Sequence, residues 1–92
     1  MTMTMYMMYR KEQNAYSNAH HPTLVGVYFN EERAKTRMRD FAEMCVEEEN
    51  LGLKIREDHG DRIILASVGT VVELYLSKVD FDPTGSPWLA DE

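Results

Sequence analysis

The chain has 92 residues, 43% of them hydrophobic and 28% charged, which is enough for one folded domain and argues against disorder. A net charge of −6 and a pI near 5.0 exclude a direct electrostatic grip on nucleic acid or on an anionic membrane, both of which need a basic surface. The single cysteine, Cys45, excludes an internal disulfide and a thiolate zinc site.

At the start of the chain, Met1, Met3, Met5, Met7 and Tyr9 alternate with Thr2, Thr4, Tyr6, Met8 and Arg10, the period-two signature of a strand. The odd set is the more apolar and is expected on the core face. Asn14 to Thr23 reads as a loop, and Leu24 to Phe29 as a second strand joined to the first in a wide hairpin. Asn30 then opens a helix as its N-cap, with Glu31 and Glu32 in the first turn where the macrodipole favours acids. Ala34, Met38, Phe41, Ala42 and Cys45 recur at helical spacing as one apolar stripe. The helix is expected to run from Asn30 to about Asn50, with Gly52 as its stop.

Leu51, Leu53 and Ile55 alternate with Lys54 and Arg56 as a third strand, and Asp58 to Asp61 reads as a turn. Ile63 to Val68 is apolar on both parities, as expected of a strand inside the sheet. After a reversal at Gly69 and Thr70, Val71 to Phe81 forms the last strand, with Val72, Leu74 and Leu76 on one face and Glu73, Tyr75 and Ser77 on the other. The order β-β-α-β-β-β predicts an α+β domain over residues 1–82, a mainly antiparallel sheet with one amphipathic helix on one face. Residues 83–92, broken by Pro83, Gly85 and Pro87 and carrying Trp88 and Leu89, read as a tail. No apolar run approaches the ~18 residues that span a bilayer, and the N-terminus lacks a signal-peptide pattern, so a cytoplasmic protein is expected.

Each residue with chemical potential has a plain structural explanation. His20 and His21 are adjacent, diverge, and have no third ligand nearby; His59 lies among Asp58 and Asp61 in a turn that those residues build for backbone reasons. Cys45 belongs to the apolar stripe and reads as a buried thiol. No phosphate loop, nucleophile elbow or metal motif is present. The sequence therefore predicts neither an enzyme nor a metal or cofactor site.

Charge is distributed unevenly. Asp40, Glu43, Glu47, Glu48, Glu49, Glu57, Asp58 and Asp61 are opposed only by Lys54 and Arg56, so this stretch carries the whole net charge of −6. Within the helix, Arg33, Lys35, Arg37 and Arg39 precede the acids, an order that opposes the macrodipole and is eased by Glu31–Lys35 and Arg39–Glu43 pairs. Asp40, Glu43 and Glu47 fall opposite the apolar stripe, giving a solvated acidic ridge suited to a basic partner. Tyr6, Met8, Tyr28 and Tyr75 have the parity opposite to the expected core sets, and are expected to line the helix-free face as a homodimer or adaptor surface.

The segment Gly26-Val27-Tyr28-Phe29-Asn30-Glu31-Glu32-Arg33-Ala34, a strand running into a capped helix, resembles a pattern in small proteins of bacteriophages and bacteria. With its short length, acidity and missing active site, the chain is similar to phage-encoded host-takeover proteins of the acidic, DNA-mimic type. That resemblance implies an inhibitor whose carboxylates stand where phosphates would sit. Its expected partner is a basic host DNA-binding protein: a nucleoid-associated protein first, a CRISPR effector or RNA polymerase next. The reading from another class is a small adaptor that binds a protein through its tyrosine-lined sheet face.

Overall fold

The structure, a computed structural model, describes residues 2–14, 21–48 and 52–82. Five strands and one helix follow in the order β1 (Met3–Asn14), β2 (Thr23–Tyr28), α1 (Glu31–Glu48), β3 (Lys54–Asp58), β4 (Arg62–Ser67) and β5 (Thr70–Phe81). The strands form one antiparallel sheet ordered β2-β1-β5-β4-β3, so the α+β architecture is as the alternating patterns require. The expected tail, His20, Glu49 and Leu51 lie outside the described residues, as does the side chain of Glu48.

The middle of the sheet is the β1–β5 pair, in register along twelve residues from Met3↔Phe81 to Asn14↔Thr70. At about 3.3 Å per residue this ribbon is ~40 Å long. The shorter strands flank it, β2 against Tyr6–Arg10 of β1 and β4 against Thr70–Tyr75 of β5. The sharp reversal from β4 to β5 uses Gly69, whose φ of 81° lies where a side chain strains the backbone. At Gly26 the requirement is space. A Cβ there would fall 2.7 Å from the Tyr28 hydroxyl oxygen, because the Tyr28 ring lies back over the glycine.

Helix α1 links the two edge strands and lies across one face of the sheet. Asn30 caps it, its Oδ1 accepting the Arg33 N–H at 2.9 Å while its carbonyl accepts the Ala34 N–H at 2.9 Å. Ala34, Met38, Ala42 and Cys45 are buried beneath it against Met8, Leu53, Ile63, Leu65, Val72 and Leu74. Each fully buried aliphatic side chain of this kind contributes roughly 1.5–3 kcal/mol of transfer free energy, so these residues hold helix and sheet together. Phe41, one member of the expected apolar stripe, is only half-buried. It packs at the border of the core, and Met38 occupies the centre.

The register corrects one expectation on β1. Met8 pairs with Leu76 and is the buried residue of the strand, so the even set faces the helix and the more apolar odd set faces away. The third strand also differs. Leu53 is buried just before β3 begins at Lys54, and a bulge at Arg56 lets Ile55 and Asp58 both lie on the helix side, opposite Leu65 and Ile63.

Candidate functional site: the helix-free sheet face

The alternation of the strands distributes side chains between a covered and an uncovered face. The register pairs place Met3, Met5, Met7 and Tyr9 of β1 beside Phe81, Val79, Ser77 and Tyr75 of β5, all on the side away from α1. β2 adds Leu24 opposite Tyr9 and Val27 opposite Met7. β4 adds Ile64 and Ala66 opposite Glu73 and Val71. Leu24 and Val27 are 48% and 42% exposed, and Met3 is 37% exposed. Among the described residues no helix or strand packs on this surface.

Two features order the middle of the face. The rings of Tyr9 and Tyr75 stack across the β1–β5 ladder with centroids 5.4 Å apart and planes inclined by 23°. The Tyr9 hydroxyl donates to the Met7 sulfur at 3.7 Å. Such cross-strand aromatic pairs add ~0.5–1.5 kcal/mol beyond their area and fix the ring positions. Charge is confined to one end. Lys11, Glu73 and Arg62 lie beyond Tyr9 and Tyr75, with Arg62 Nε donating to Glu73 Oε2, and Lys54 and Glu57 follow toward β3.

The tyrosine set expected from parity is divided by the sheet. Tyr75 is on the helix-free face, but Met8 is in the core, and Tyr28 packs against that core on the helix side with Tyr6 opposite it. Tyr9, assigned to the core by parity, is the partner that Tyr75 takes. The more hydrophobic set of β1 faces outward, so its alternation points to the opposite face from the one the helix covers.

The acidic segment is divided as well. Asp40, Glu43 and Glu47 are exposed on the solvent side of α1, and Asp61 is exposed in the β3–β4 turn. Asp58 points the other way from Glu57. Its Oδ2 accepts from Arg39 Nη1 at 2.9 Å and its Oδ1 from the Gly60 N–H at 2.9 Å. Arg39 therefore pairs with the sheet rather than with Glu43, whereas Glu31 and Lys35 do pair, at 3.8 Å. Glu57 contacts His59 Nε2 at 2.9 Å, and that hydrogen bond, together with the His59 and Arg62 charges, holds its carboxyl below the ordinary value of 4.5. By helical geometry Arg33 and Arg37 share the solvent side with the three helix acids. The ridge is therefore a short acidic end on a helix whose other end is basic.

Several grooves open at the borders of the helix. One of about 400 Å³ runs between α1 and β2 and is lined by Val25, Tyr28, Arg37, Asp40, Phe41 and Met44. Another, of about 350 Å³, lies between the end of α1 and β3, lined by Glu43, Val46, Glu47, Lys54 and Ile55. Among the described residues no three His, Cys, Asp or Glu side chains come together to hold a metal ion. Cys45 is buried, as its place in the stripe requires, and His21 is exposed. No helix of the described residues is long and apolar enough to cross a membrane.

A two-layer α+β unit with one apolar sheet face uncovered is the class that fold and surface define. Comparison with family models, with curated proteins and with solved structures returned no match.

Proposed function

We propose that this protein is a non-enzymatic protein-binding module whose helix-free sheet face is its docking surface. The observation that carries the reading is the orientation of β1, which turns Met3, Met5, Met7 and Tyr9 away from the helix although Met8 alone supplies its core contact. An uncovered sheet face in a soluble domain normally alternates to polar residues. Here it is apolar along the β1–β5 ribbon and polar at one end, the pattern of an interface with an apolar centre and a charged border. Methionine and tyrosine suit that role, since thioether chains adapt to a partner and tyrosine offers an apolar ring with a polar tip.

A second reading rests on the helix. Asp40, Glu43 and Glu47 are exposed on the solvent side of α1 and make no ion pair among the described residues. Spaced three and four residues apart, they rise about 10 Å along the helix. This supports the inhibitor reading, in which a phage-type protein offers carboxylates to a basic host nucleic-acid-binding protein. Three charges over that length are sparser than the one per ~3.4 Å of a DNA strand, and Arg33 and Arg37 follow on the same side. The sheet face is therefore the better supported surface.

Site-specific photocrosslinking in bacterial cells tests both. A benzoylphenylalanine replaces Tyr75 on the sheet face, Glu43 on the acidic end, or Thr36 on the solvent side of the helix. Adducts formed at position 75 and not at 36 are expected. Adducts at position 43 to a basic nucleic-acid-binding protein, with none at 75, would transfer the function to the ridge. Equal labelling at 75 and 36 would remove the sheet face as a binding surface.

A further inference from the structure

We infer that the occupant of the sheet face is a second copy of this chain, packed face to face as a two-fold homodimer; this rests on the reading of that face as a docking surface. Two quantities favour a copy over a different partner. The first is charge. The face carries three bases, Lys11, Lys54 and Arg62, and two acids, Glu57 and Glu73, so it is close to neutral while the chain as a whole is −6. Among the described residues the exposed acids Asp40, Glu43, Glu47 and Asp61 lie off this face. On this side the long-range repulsion between copies is low.

The second quantity is area. Residues on one face of a strand recur about every 6.7 Å, and strands are about 4.8 Å apart, so each covers roughly 32 Å² of the sheet plane. The register puts nineteen residues on the helix-free side, two each from β2 and β3, six each from β1 and β5 and three from β4. Their footprint is roughly 600 Å² per copy; without the five charged residues it is roughly 450 Å², or about 900 Å² for two, the size of a weak, concentration-dependent interface. Sheets packed in this way sit about 10 Å apart with strands inclined by some 30°. The charge-free region is centred on Met5 and Met7, and Lys11 lies about 13 Å along β1 from Met7. A two-fold axis near these methionines leaves the charged residues at the border, where water reaches them.

Methionine methyl signals report the interface directly. In protein labelled with carbon-13 at the methionine methyls, the Met3, Met5 and Met7 resonances shift with concentration across the micromolar range. Those of Met38, in the core, and Met44, on the opposite side, do not. Sedimentation equilibrium over the same range shows mass rising from 10.7 kDa toward twice that value. Met5→Lys places a charge in the apolar centre and weakens association at least about tenfold, with an unchanged circular dichroism spectrum. If that variant fails to fold, Val27→Lys, on the exposed edge strand, gives the same loss. A 10.7 kDa species at every concentration overturns the inference, as does a dimer in which Met44 shifts and Met3, Met5 and Met7 do not. A monomer whose position 75 still cross-links to another protein removes the second copy and leaves the docking face standing. A monomer with no such adduct removes both.

Discussion

Met38 and Phe41 provide a direct test of which side chain anchors the helix. Met38 is fully buried in the middle of α1, while Phe41 is half-buried beside the groove formed with Val25, Tyr28 and Met44. Replacing a fully buried methionine by alanine costs ~2–5 kcal/mol, so Met38→Ala is expected to lose about 3 kcal/mol. A 92-residue domain has ~5–14 kcal/mol in total at ~0.05–0.15 kcal/mol per residue, so this is a large share. At ~4–8 °C per kcal/mol for a domain of this size, the melting temperature should fall by ~12–24 °C. Phe41→Ala removes a larger ring, but one already partly hydrated, and about 1.5 kcal/mol, or ~6–12 °C, is expected. Urea and thermal melts of both variants measure this, at a concentration low enough that self-association adds no stability. A greater loss for Phe41→Ala than for Met38→Ala would refute the packing described for α1.

Two further outcomes follow from the helix cap and from the β3–β4 turn. Asn30→Ala removes the acceptor of the Arg33 N–H and should cost about 1 kcal/mol in a urea melt, with Asn30→Ser close to neutral; equal losses for both would show that the cap is not what holds the first turn. The carboxyl of Glu57 titrates below 4.5 because of its bond to His59, so this pair stabilises the fold above that pH and its contribution is lost as pH falls through the lowered value. In a carbon-13 titration His59→Ala should return Glu57 toward its ordinary value, and no movement would mean that His59 is not the cause.

The element order, the Asn30 cap and the buried face of β5 were legible because each depends on local pattern. A cap needs one side chain near one amide. A strand between two neighbours shows its parity through Val72, Leu74 and Leu76, whose opposite side carries Glu73 and Ser77. β1 had no such contrast. Met3, Met5 and Met7 are more hydrophobic than Thr4, Tyr6 and Met8, yet the helix covers the second set. Which face the helix covers is decided by the hand of the crossover from β2 to β3, parallel strands at opposite edges, and not by the alternation of β1 itself. Tyr28 turns inward over Gly26, where the missing Cβ makes room for its ring. Arg39 was read along the helix toward Glu43, but Asp58 lies nearer in space and nineteen residues away in sequence. Nothing in local spacing distinguishes those two carboxylates.

The placement of charge and of apolar surface in this domain can be understood together. Among the described residues one helix buries one face of a five-stranded sheet, and no helix or strand covers the other. An apolar sheet face without further provision would associate in many registers. The near-neutral charge of that face leaves the exposed acids Asp40, Glu43 and Glu47 on the helix and Asp61 in the β3–β4 turn, off the face. Two molecules meeting through the acidic ends of their helices repel, and that repulsion is strongest at low ionic strength. Carboxylates late in the helix are unfavourable to its dipole by ~0.3–1 kcal/mol each when exposed. On the present reading that cost has a function within the fold: the acids disfavour association through the acidic end of the helix and leave the sheet face the less repelled surface. The same three carboxylates thus have a role even if no basic partner meets them. Neutralising two of them, as in a Glu43→Gln, Glu47→Gln variant, leaves the sheet face untouched and lowers the selectivity of its use.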